Sequence, residues 1–157
     1  MNLRRTIYLV IMSSVDYEEC CHKLLKLNIR EGQEMELCNM ILECCMQERT
    51  YLRFYGLLAQ RFCLINPELY APKFLELFAK TYTNVHKIEV NKLRNSAKFF
   101  GHLLYTNGVD WSCLSAIRLT EEDTTSSSRI FIKILFQDLA ENLGLESLTK
   151  KLQDDTV

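Results

Sequence analysis

Glycine and proline are scarce in this chain, five and two among 157 residues. An all-β protein needs such residues at most of its tight turns, so the scarcity argues against one. Long apolar runs are missing too. No stretch approaches the roughly 18 consecutive apolar residues of a membrane span. The early run Ile7 to Met12 follows Arg4 and Arg5, but it is short for a secretory signal. Acidic Asp16, Glu18 and Glu19 come at once, with no small-residue cleavage site. A helix packing into a core is the better reading.

An excess of one charge is lacking as well. Nineteen basic residues against twenty acidic ones leave a net charge of −1, so the molecule has no general field for phosphate backbones or an anionic membrane. The seven cysteines, Cys20, Cys21, Cys38, Cys44, Cys45, Cys63 and Cys113, form no C-x-x-C pair and no Cys/His zinc spacing. Their number is odd and most fall at apolar positions. They are expected to be reduced, buried thiols, which implies a reducing compartment.

Motifs of catalysis are absent. The sequence has no G-x-S-x-G, G-x-x-x-x-G-K or H-E-x-x-H. His22, His86 and His102 are scattered, and a satisfied structural histidine is the commoner meaning of His22 and His102 beside apolar helix positions. Glu18-Glu19 and Glu121-Glu122-Asp123 lack metal-loop spacing and read as solvated helix ends. The expectation is a protein that is not an enzyme, with no cofactor, no metal and no small-molecule substrate.

What is present is helical periodicity over one domain, 1–157. Leu3, Ile7, Val10 and Ile11 line a first helix that breaks at Ser13-Ser14, and Tyr17, Cys20, Cys21 and Leu24 line a second. A third runs to about Glu48 with Met35, Cys38, Ile41, Leu42 and Cys45 inward. Thr50 is positioned to cap a fourth, carrying Tyr51, Phe54, Tyr55, Leu58, Phe62 and Ile65. Asn66-Pro67 restarts the chain as a capping side chain and a first-turn proline, and Pro72 is expected to kink or re-initiate the helix. Leu75, Phe78, Ala79 and Tyr82 form its apolar face. The sixth helix covers about Val90 to Tyr105 with Leu93, Ala97, Phe100 and Leu104 inward, and stops at Asn107-Gly108. A short helix, Trp111 to Leu119, and a polar loop, Thr120 to Ser128, lead to an eighth, Arg129 to Leu143, capped by Ser126 or Ser127. Ile132, Leu135, Phe136, Leu139 and Leu143 form its main stripe and Ile130, Phe131 and Ile134 lie off it, so it is expected to be central and buried. A weak helix, Leu145 to Leu152, ends the pattern. Eight or nine helices with short connections predict an all-α fold of stacked antiparallel helical hairpins, an α-solenoid of the HEAT-like kind.

Two surfaces attract attention. Lys87, Asn91, Arg94 and Lys98 fall at i, i+4, i+7 and i+11, a basic stripe fit for RNA phosphates or an acidic partner, or else a solvated face. The acidic turn Ser14 to Glu19 presents Asp16, Tyr17 and Glu18, with Tyr17 expected to be exposed. Capping of the second helix by Ser14 or Asp16 explains part of this turn; a partner contact is the alternative.

The run SSVDYEECCHKLLKL, Ser13 to Leu27, resembles the opening helix pair of MA-3 domains, helical-hairpin modules of translation and cell-death regulators. Glu36 to Cys63, Asn91 to Asn107 and Thr124 to Leu139, together with Trp111, resemble more specifically the MA-3 domain of pre-mRNA-splicing factors of the nucampholin (Cwc) family. That resemblance spreads over nearly the whole chain. It implies a nuclear scaffold that docks on spliceosomal core proteins and is linked to exon junction complex assembly, with at most weak RNA contact. It also implies a fragment of a larger protein, whose preceding domain would hold a DEAD-box RNA helicase. MA-3 domains elsewhere grip such helicases through acidic residues near the first inter-helix turn, and Asp16 matches that position. Val15 departs from the small residue common beside it.

Overall fold

In the computed structural model, which describes residues 2–117 and 124–153, the Asn2 side chain accepts from the Arg4 N–H and starts α1, Leu3–Ser13. α2, Tyr17–Leu25, begins at Asp16, whose carboxylate accepts from the Glu19 N–H at 2.8 Å. α3 spans Glu34–Gln47, α4 Arg53–Ile65 and α5 Pro67–Thr83. A 3-10 turn, Val85–Lys87, leads to α6, Val90–Tyr105. After a 3-10 helix, Trp111–Ala116, come α7, Ser126–Leu143, and α8, Leu145–Gln153. Among the described residues the architecture is all-α, as the periodicity predicts. The first part of the expected polar loop, Thr120 to Asp123, and the last two residues of the expected short helix, Arg118 and Leu119, lie outside the described residues.

The hairpins stack as expected. α1 packs on α2 and α3, α2 on α4, and α3 on α4 and α5. The helix that unites them is α6, which meets α3, α4 and α7. Its residues Leu93 and Ala97 and the run Phe99 to Leu104 are all buried. That differs from the expectation that the helix following the polar loop is the central one. α7 buries one stripe, Phe131, Leu135 and Leu139, which takes in Phe131 from outside the expected stripe and leaves Ile132, Phe136, Leu143 and Ile134 half-buried and Ile130 exposed. Apolar content alone does not bury a helix; a neighbour must exist on each apolar side. An aromatic spine joins the layers, with Phe78 against both Phe100 and Phe131, and Phe99 against Phe74 and Phe100.

Several local expectations are corrected. Thr50 does not cap α4; Leu52 holds that position without a side-chain bond, Tyr51 precedes the helix, and Ile65 is exposed. Thr125, rather than Ser126 or Ser127, caps α7 in a reciprocal box with Ser128, so the helix starts earlier than expected. α5 runs unbroken through Pro72. Its buried face is Tyr70, Phe74, Leu77, Phe78 and Thr81, so Leu75 and Tyr82 are only half-buried and Ala79 is exposed. Asn107 does end α6, taking a left-handed φ of 59° while the Gly108 N–H reaches the Leu103 carbonyl at 2.8 Å. Trp111 then ties the next segment down by donating from Nε1 to the Leu104 carbonyl at 2.9 Å.

Buried polar groups fix how α6 meets α3. Asn95, 1% exposed, donates to the carbonyls of Cys45 (3.1 Å) and Glu48 (2.8 Å). These lie at the end of α3, where the Cys45 carbonyl otherwise has the Glu48 N–H at 3.3 Å and the Glu48 carbonyl is past the last turn. One side chain of α6 thus closes the end of another helix.

Candidate functional site

The first candidate surface is the turn between α1 and α2. Asp16 is exposed, but its carboxylate is engaged in capping α2. Glu19, three residues on, accepts from the Val15 N–H at 3.1 Å and pairs with Lys23 at 2.6 Å. The Lys23 ammonium, helped by the Val15 N–H, holds the Glu19 carboxyl below its usual range. The turn is therefore a built structure. Glu18 is exposed as expected. Tyr17 is not: it is half-buried and packs on the core, because it begins the inward stripe that continues through Cys20, Cys21 and Leu24. The exposed group missed by sequence reasoning is Val15, 87% accessible, at the tip beside Asp16. Tyr8, Leu9 and Met12 add exposed apolar surface on α1.

The second candidate surface is rearranged more deeply. Lys87 belongs to the 3-10 turn Val85–Lys87, and Ile88 and Glu89 intervene before α6 begins. The four-residue stripe is thus not one helix face. Asn91, Arg94 and Lys98 do lie on α6, but only Arg94 and Lys98 border the groove between α6 and α7, where Asn91 has no part. The opposite wall carries Ile130, Lys133, Ile134 and Asp138. The sequence held a signal for this wall: Ile130 and Ile134 are one helical turn apart and off the main stripe. It points to a groove and not to a buried helix.

Asp138 is the most perturbed carboxyl there. Burial pushes it up from 3.8 to about 6, against the pull of Lys98 and of the Asn142 amide; Glu141 pushes in the same direction as burial. Its position follows from Gly101, where a β-carbon would stand in the place of the Asp138 carboxylate.

Chemistry of the nucleophilic kind finds no support in the thiols. Burial raises Cys21 and Cys44 to about 11 and Cys63 and Cys113 to about 12, and Cys38 and Cys45 higher still, which suppresses thiolate formation. His102 is buried, with Nε2 2.8 Å from Gln60 Oε1 and Nδ1 2.9 Å from the Tyr105 hydroxyl. Burial, with Arg53 nearby, lowers it to about 4, so it is a neutral structural ring at pH 7. No helix among the described residues is long and apolar enough to cross a membrane.

Hairpins α1 to α5 and the central α6 fall within residues 3–110, which match the MA3 domain family. The chain belongs to that family. Over nearly its whole length it is also similar to curated splicing factors. It is 60% identical to the Pre-mRNA-splicing factor CWC22 homolog of Drosophila melanogaster, over 99% of this chain and 12% of that protein. Identity to the Pre-mRNA-splicing factor cwc22 of Emericella nidulans is 59%, over 99% of this chain and 18% of the relative. For the Homo sapiens homolog it is 56%, over 100% and 17%. The chain thus spans less than a fifth of the length of these relatives.

Proposed function

We propose that this chain is a non-catalytic protein-interaction domain of a pre-mRNA-splicing factor, acting in the nucleus on protein surfaces of the spliceosome. The observation that carries this reading is the 56 to 60% identity, sustained over essentially the whole chain, with relatives named as splicing factors. The fold supports the interaction role. Its stacked hairpins spend their polar side chains on helix ends, as Asn95 and Thr125 do, and leave apolar and acidic groups exposed at the first turn. The thiols are held in their unreactive form, which agrees with a scaffold and not with covalent chemistry. The link to exon junction complex assembly rests on the resemblance in the quoted stretches.

The Asp16 turn is proposed as the contact for a DEAD-box helicase. Val15 offers an exposed apolar tip, and Glu18 with Asp16 offers the negative charge. Add-back to a splicing extract depleted of the matching factor tests the main reading. Restoration by the factor carrying this domain and failure by the factor lacking it is the expected result. Equal restoration by both would remove the domain from splicing.

A further inference from the structure

The groove between α6 and α7 stands apart from the Asp16 turn, and its α7 wall lies beyond the residues matched to the MA3 family. α7 packs both on the 3-10 turn Val85–Lys87 and along α6. Asp138 consequently lies by Gly101 late in α6, whereas Phe131 packs on Phe78 and Tyr82. Between them the two helices leave an open cleft of about 430 Å³.

Its lining has two parts. Val90, 51% exposed, Ile130, 37% exposed, and half-buried Ile134 supply an apolar strip open to water. Arg94, Lys98 and Lys133 supply three cations. The ion pairs among the described residues are Arg4 with Glu36 and Glu43, Lys23 with Glu19, and Lys150 with Glu146. None uses a groove cation, although Lys98 lies near enough to pull on the Asp138 carboxyl; among the described residues the cation over an aromatic ring is Lys151 at Trp111. Charge and apolar surface therefore lie side by side, the combination by which a groove between helices takes an amphipathic segment of another chain.

We propose that this groove docks an acidic, amphipathic peptide segment of a partner protein. Its apolar side chains rest on Val90, Ile130 and Ile134, and its carboxylates meet Arg94, Lys98 and Lys133. Charge complementarity selects this occupant. RNA fits less well, since the lining has no aromatic ring on which a base can stack, and Asp138 and Glu141 at one end oppose a continuous phosphate track. The inference rests on the groove alone, so its failure leaves the splicing reading standing.

Fluorescence anisotropy with a short labelled peptide of glutamate and leucine, the leucines at helical spacing, tests it. Micromolar binding by the full chain is expected. Lys133→Glu and Ile134→Ser should each weaken binding by about tenfold or more, with unchanged circular dichroism. A peptide with serine in place of leucine should bind as weakly as the variants do. No binding to the acidic peptide, binding indifferent to both substitutions, or tighter binding of labelled oligouridine would overturn the proposal. So would self-association of the chain abolished by Lys133→Glu, which would assign the groove to a second copy.

Discussion

Individual side chains carry an unusual share of this fold, and Asn95 shows why. Replacing it with alanine removes the side-chain donor to the Glu48 carbonyl and leaves the Cys45 carbonyl with the Glu48 N–H alone. A loss of about 2–3 kcal/mol is expected in urea unfolding. His102 and Asp138 act in opposite directions in one pH window. A neutral His102 lowered from 6.5 to about 4 stabilises the fold fully above pH 6.5 and loses that contribution as pH falls toward 4. The loss at pH 5 is about 2 kcal/mol. Asp138, raised from 3.8 to about 6, is a strained anion above pH 6 and is relieved as pH falls toward 4. Its half-exposed position reduces that effect to about 1 kcal/mol or less. Chemical unfolding at pH 7 and pH 5 separates the two: His102→Gln should flatten the acid loss, and Asp138→Asn should steepen it. Neither role is visible in the sequence, where both residues are polar positions in amphipathic helices. Their values depend on what the neighbouring helix brings, such as Gln60 from α4 or the backbone of Gly101.

At the scale of elements, Asp16 has two separable duties. Asp16→Ala should cost about 1 kcal/mol through the lost cap of α2. Asp16→Ser retains a capping oxygen and should leave stability within about 0.5 kcal/mol. If the carboxylate also contacts a helicase, both substitutions should weaken its recovery in a pull-down; retention by the serine variant would confine Asp16 to capping. Helices themselves were readable because apolar residues recur at the helical period, and α1, α2 and α6 bury the faces so indicated. Their starts were harder. A hydroxyl such as Thr50 or Ser126 can cap only if the chain turns there, and the turn is set by tertiary packing that places Leu52 and Thr125 instead. The basic stripe failed as a single face for a related reason: Ile88 and Glu89 break the period between Lys87 and α6. What survived of it, Arg94 and Lys98, acquires meaning only beside Lys133 and Ile134 on α7.

For the whole molecule, the stacked hairpins make a rigid support on which two separate surfaces are displayed, the α1–α2 turn and the α6/α7 groove. The central α6 joins them through buried contacts with α3, α4 and α7. Residue patterns reveal the stack, because each hairpin must bury its stripe on the next; they do not reveal the displayed surfaces, which consist of whatever that stacking leaves uncovered. The central claim is that this chain works by touching spliceosomal proteins. Crosslinking mass spectrometry of assembled spliceosomes containing it tests that claim most directly. Crosslinks from Lys23, Lys98 or Lys133 to other protein components are the predicted result, whereas crosslinks confined to this chain in fully assembled particles would contradict the account.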